Sequence, residues 1–224
     1  MTYRSLWFVP AILLATIMVG CESTSATEQT LRERAHRAMW QGRWAEAETL
    51  YGDLVADAPQ DWRMQYGYGR SAMHVGDLSE ARQALEIAHT LKPSNTQIVL
   101  DLAEVMYLQG ARDSLFQFLN DRAEAQKTAE AYLLLAEYAL MFEDPDSAHE
   151  FIAQAMVVDD ASSVGPYLTA ATLSEQIGDL DGAMRYLRLG WQIDPDDELV
   201  EQRLRAYGVV PGPTLAMPSD HDLD

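Results

Sequence analysis

Three kinds of residue keep one spacing along this chain. Gly42, Gly76 and Gly110 stand 34 residues apart, and Gly178 follows 68 later. Pro59 and Pro93 repeat the interval of 34, with Pro195 102 further on; Ala47 and Ala81 do the same, with Ala183 again 102 later. A series of small residues, Ala35, Gly69, Ala103, Ala136 and Ala171, steps by 34, 34, 33 and 35. A period of this length means stacked supersecondary units, each unable to cover its own apolar face. Contact between sequence neighbours then carries the stability, in place of one closed core.

Within each unit two apolar-periodic segments of helical spacing are separated by a turn, as in 62–75 and 78–91 on either side of Gly76-Asp77. Asp77-Leu78-Ser79-Glu80 has the spacing of a capping box and marks the second helix of its unit. Asp179 opens the matching helix of the fifth unit. The fourth unit, around Ala148, slips by one residue and the fifth recovers the phase. Residues 196–207 (DDELVEQRLRAY) read as a closing polar helix. Residues 208–224, with Pro211, Pro213 and Pro218 and a polar end, read as a disordered tail.

These residues resemble the tetratricopeptide repeat, over about 28–197. Unit 62–95 carries Tyr68-Gly69, Ala72, Gly76, Ala81, Leu85, Ala88 and Pro93 at that family's signature places. Unit 164–197 carries Ala171, Gly178, Ala183, Leu187, Gly190 and Pro195, and unit 28–61 carries Ala35, Ala38, Gly42, Ala47, Tyr51 and Pro59. Unit 96–128 has Leu115 and Arg122 where small residues are usual. Unit 129–163 has Asp144-Pro145 in place of the turn glycine. The resemblance implies an all-α fold: a right-handed superhelical solenoid of about five helix-turn-helix units over 28–207, its last helix a cap.

The N-terminus carries an address. Arg4 precedes an apolar run, Leu6 to Gly20, whose fifteen residues would span about 22 Å as a helix, short of a bilayer's ~30 Å core. A signal peptide over 1–20 therefore fits better than a permanent span. Its end, Met18-Val19-Gly20-Cys21, resembles the bacterial lipoprotein lipobox, which implies acylation of Cys21, the only cysteine. Residues 21–27 then read as a lipidated cysteine and a flexible tether. The location this implies is the cell envelope, facing the periplasm, with Glu22 leaning toward an outer membrane.

Charge supports an acyl anchor over an electrostatic one. The chain has 16 Lys+Arg against 35 Asp+Glu, and loss of residues 1–20 removes one arginine and no acid, leaving −20. Such a balance opposes nucleic-acid binding and adhesion to anionic lipid. Acyl chains contribute about 0.8 kcal/mol per buried CH₂. No HExxH, GxSxG, GxGxxG or P-loop is present, so neither an enzyme nor a cofactor is expected. The densest polar cluster, His149 with Glu150, Asp144 and Asp146, reads as a solvated helix start, and Asp194-Pro195-Asp196-Asp197 as a cap; no metal site is expected.

What remains is a groove. In the resembled family, fixed positions on the first helix of each unit line the concave side. They fall here on Arg32, His36, Met39 and Trp40; on Arg63, Tyr66, Arg70, Met73 and His74; on Leu100, Glu104, Tyr107 and Leu108; on Leu133, Glu137, Leu140 and Met141; and on Leu168, Thr172, Glu175 and Gln176. The carboxylate clamp of some chaperone-binding members is absent. Met- and Tyr-rich lining suits an adaptable peptide contact. The implied role is a non-enzymatic scaffold or assembly factor that holds a peptide or helix of an envelope partner, in the manner of the lipoproteins of pilus and secretion-system biogenesis. The alternatives are an adaptor for peptidoglycan hydrolases, a part of outer-membrane assembly, or a homodimer joined through residues 28–41 with Trp40 and Trp44.

Overall fold

The computed structural model describes residues 19–212 and 215. The signal-peptide reading of residues 1–18 lies outside them, as do the side chain of Cys21 and tail residues 213, 214 and 216–224. Among the described residues every regular element is a helix. The chain forms two compact units, one ending at Gln109 and the other starting at Gly110.

The first unit holds α1 (Val19–Trp40), α2 (Trp44–Asp57), α3 (Trp62–Val75), α4 (Leu78–Leu91) and α5 (Thr96–Leu108). Each helix packs on the next, and α3 also touches α1 and α5. The second unit holds α6 (Arg112–Gln126), α7 (Ala129–Met141), α8 (Pro145–Val158), α9 (Gly165–Gln176), α10 (Leu180–Ile193) and α11 (Glu198–Ala206). Here α7 pairs with α8, α9 with α10, and α11 closes on α10. The helices at 62–75 and 78–91 and the closing helix stand where periodicity places them.

The small-residue series marks where helices meet. Ala35, Ala103, Ala136 and Ala171 are all 0% exposed. At Gly69 a Cβ would sit 2.8 Å from Leu85 Cγ and 3.1 Å from the Ala81 carbonyl, so α3 and α4 approach closer than alanine permits. Gly67 serves the α2–α3 contact likewise: its missing Cβ would fall 2.4 Å from the Tyr51 ring. Leu115, the large residue in the degraded unit, is fully buried, and Arg122 is half-buried, its pKa lowered by desolvation.

Each hairpin turn uses one left-handed residue. At Gly76 (φ 101°) the Asp77 N–H returns to the Ala72 carbonyl at 2.9 Å. Gly178 (φ 83°) and the Asp179 N–H to Ser174 repeat the pattern. In the fourth repeat Glu143 takes this conformation (φ 57°), and the Asp144 N–H still reaches Ala139 at 2.9 Å. The turn thus survives loss of its glycine, at the left-handed cost a Cβ brings.

Caps sit at the helix starts. Asp61, Asn95, Thr128, Asp144, Asp179 and Asp197 all accept backbone N–H groups of the helix each precedes. The capping box expected at Asp77 does not form. Asp77 lies at ψ 66°, and its side chain makes no cap bond, whereas Asp179 in the matching turn does cap its helix. Two other expectations change. The backbone of 21–27, read as a flexible tether, continues α1, since those residues include no glycine or proline to stop it. The start of the tail folds back, with Val209 and Leu215 packing beside Tyr207 on the second unit's core.

Two substitutions test this account in urea melts. Gly69→Ala should destabilise the first unit by about 1–3 kcal/mol through overpacking at the α3–α4 contact. Glu143→Gly should stabilise the second by about 0.5–1 kcal/mol through relief of the left-handed strain.

Candidate functional site

In the first unit α1, α2, α3 and the start of α5 enclose a cleft of about 970 Å³. Its apolar wall is Met39, Trp40, Tyr51, Trp62, Met64 and Tyr66; its rim is Arg32, Glu33, His36, Arg37 and Arg63, with Asn95 and Gln97 at one end. Six residues expected in the groove meet here: Arg32, His36, Met39, Trp40, Arg63 and Tyr66. Trp40 is 81% exposed, a large indole left in water.

Asp61 organises one side. One carboxylate oxygen accepts the Arg63 N–H at 2.9 Å and caps α3, while the other lies 3.5 Å from Arg32, which also bonds Glu28 at 2.7 Å. The Arg63 guanidinium lies 4.8 Å from the Trp62 ring centroid and keeps most of its side chain in solvent. Arg32 is therefore tied down, whereas Arg63, 3.9 Å from Asp61, still presents most of its side chain to solvent.

Arg70, Met73 and His74 do not join the cleft. Arg70 Nη1 donates to the Tyr66 hydroxyl at 2.8 Å, and its Nε faces Asp101 Oδ2 at 3.8 Å, both atoms buried without a hydrogen bond. Gln97 holds the other Asp101 oxygen at 2.9 Å. Burial and then the Asp101 charge push the Tyr66 hydroxyl up to about 12. Met73 is buried because it lies one turn past Gly69, on the face that meets α4. His74 stacks on Trp44, ring centroids 3.8 Å apart. On α5, Leu100, Glu104 and Leu108 share one face; Leu100 and Tyr107 are half-buried and the other two exposed.

In the second unit Leu133, Glu137, Leu140 and Met141 line clefts between α7 and α9 with Thr172 and Gln176. Glu175, expected in the groove, is engaged by the cap: Arg203 reaches it at 2.8 Å and the Tyr207 hydroxyl donates to it at 2.7 Å. Arg203 also donates to the Leu168 carbonyl and the Thr172 hydroxyl. Sequence reading missed Trp62, Tyr51, Arg37 and the α5 cap pair Asn95 and Gln97; the cap spacing from Asp61 to Asn95 was the available signal. His149 approaches only Asp179, at 4.0 Å, and Asp144 caps α8 and pairs with Arg112. Among the described residues no group of three His, Cys, Asp or Glu side chains is placed to hold a metal ion.

Comparison with known proteins places this geometry. Residues 32–96 match the family model of the tetratricopeptide repeat. No curated protein matches the chain. Among solved structures, MamA protein superposes with a TM-score of 0.55 at 15% identity, over 84% of this chain and 100% of that one. A tetratricopeptide repeat protein from Parabacteroides merdae ATCC 43184 gives 0.55 at 18% identity, over 82% and 73%. MamA from residue 41 onward, from Desulfovibrio magneticus RS-1, gives 0.52 at 16% identity, over 76% and 97%. The likeness is one of fold.

Alkaline titration followed by tyrosine absorbance should reveal a late-ionising class. Tyr66, Tyr167 and Tyr207 are each raised from 10 to about 12, chiefly by burial. Their stabilising contribution is complete below pH 10 and is lost as pH rises through about 12, so unfolding should steepen across that window. Tyr66→Phe should remove one group from the late class.

Proposed function

We propose that this chain, whose fold is that of tetratricopeptide-repeat proteins, is a non-enzymatic scaffold that captures a segment of a partner protein in the first-unit cleft. The observation that carries the reading is Trp40, 81% exposed at the lip of a cleft of about 970 Å³ walled by Trp62, Tyr66 and Met39. Aromatic surfaces give large contact area at small entropic cost, methionine adds an adaptable one, and arginine beside tryptophan is the composition of binding hot spots. A partner segment would seat an apolar side chain against Trp40 and Tyr66 while Arg63 and Arg37 meet its polar groups. The paired Asp101–Arg70–Tyr66 network holds the wall rigid, so little order must be gained on binding.

A photo-crosslinking residue at position 40 should trap a partner chain in cells, and the same residue at exposed position 149 should not. Trp40→Ala with Tyr66→Ala should weaken capture by about thirtyfold or more, as for a hot spot worth about 2 kcal/mol, with helical content retained. Equal crosslinking from both positions would sink the assignment.

The same reading places the scaffold at the cell envelope, held through Cys21. Its support is the Met18-Val19-Gly20-Cys21 sequence and a charge balance that opposes electrostatic attachment to anionic lipid. Cys21→Ser should move the protein from the membrane fraction to the soluble fraction; unchanged fractionation would remove the anchor.

A further inference from the structure

We infer that the second unit carries its own docking trough, of opposite charge preference, for a basic amphipathic segment of a partner protein. Two adjoining clefts of about 320 and 430 Å³ run between α7 and α9 and share Glu137 and Thr169. Leu133, Leu134 and Leu140 supply the apolar lining. Glu130 and Glu137 stand exposed on the lining, seven residues apart on α7. That is two helical turns, about 10 Å. Among the described residues neither glutamate has an ion pair or a hydrogen-bonded side-chain partner.

Charge complementarity selects the occupant. Residues 110–224 hold 22 Asp+Glu against 7 Lys+Arg, whereas residues 21–109 hold 13 against 8. Of the few cations in the second unit, Arg112, Arg203 and Arg205 are paired with Asp144, Glu175 and Glu201. The trough thus sits in a strongly negative field with two unneutralised carboxylates over an apolar floor. An acidic segment would be repelled. A segment with apolar side chains on one stripe and lysine or arginine two turns apart would satisfy both features, its leucine-like groups on Leu133 and Leu140 and its cations on Glu130 and Glu137. The trough and the Trp40 cleft have no residue in common, so the two can fail separately.

The test uses the full chain and two fluorescent peptides of about 14 residues, one with leucine and lysine in amphipathic helical order and one with glutamate replacing lysine. Anisotropy should show binding of the lysine peptide only, weakening steeply between about 50 and about 500 mM salt. Glu130→Gln with Glu137→Gln should weaken it about tenfold or more. Asp121→Asn with Glu124→Gln, exposed acids on α6, should change it by less than about twofold. Glu130→Lys with Glu137→Lys should transfer binding to the glutamate peptide, a gain that a misfolded variant could not produce. Trp40→Ala with Tyr66→Ala should leave lysine-peptide binding intact whatever becomes of partner capture at the first unit. Equal losses from the α7 and α6 pairs would mean attraction by the whole unit and would overturn the site. So would binding of both peptides alike. Salt-sensitive self-association in sedimentation, abolished by the α7 pair, would assign the trough to a second copy and overturn the partner-protein assignment.

Discussion

Helix pairs in this protein depend on how near two backbones can come. Where Gly69 faces Leu85 and the Ala81 carbonyl, no Cβ fits without displacing something, and the neighbouring repeats put alanine at the same place with no exposed surface left. Such contact brings many carbon pairs to optimal separation at once, and dispersion adds up only when the gap is closed. A single left-handed residue per turn then sets the second helix back along the first. Close approach and turn geometry are coupled: each would be of little use without the other, and both recur with the same period. This is why so few residue types carry so much of the fold.

That economy made the fold legible. Glycine and alanine recurring at fixed intervals point to repeated close contact between backbones, and the apolar segments between them have helical spacing. What the pattern hid is equally physical. Glu143 occupies a left-handed turn because the surrounding hairpin, α7 against α8, overrides its preference. Asp77 has capping-box spacing, yet its side chain makes no cap bond, although Asp179 at nearly the same angles does. Residues 21–27 are small and polar, yet a helix already nucleated downstream propagates through them at little cost.

The candidate site was read less fully, for a different reason. Periodicity says which face of a helix points toward the groove, but not what already occupies it. Arg70 and Glu175 lie on the predicted face and are held within the protein, the first by Tyr66 and Asp101, the second by Arg203 and Tyr207. Tyr207 comes from 32 residues away, a separation over which spacing alone does not report pairing. Met73 failed on a finer point, because it lies one turn past Gly69 and so shares the face that meets α4, where it is buried. Trp40 and Glu137, which have no ion pair or hydrogen-bonded side-chain partner among the described residues, stand on the surface where the pattern puts them.

The C-terminal cap shows how the array decides where binding surface ends. A repeat's open flank is apolar and also carries unpaired helix-face polar groups, and α11 covers the first with Val200 and Leu204, both fully buried. Arg203 takes care of the second, bonding the Leu168 carbonyl, the Thr172 hydroxyl and Glu175 together. Burial pushes the Glu175 carboxyl up, yet the hydrogen bonds from Tyr207 and Arg203 outweigh it and hold the group below the usual carboxylate range. A carboxylate so satisfied offers little to a visitor, since a ligand cation would have to replace an arginine already placed. In the second unit, the exposed acids that the cap does not engage on α7 are Glu130 and Glu137. Selectivity in such an array is set as much by which polar groups the protein satisfies internally as by which it leaves exposed.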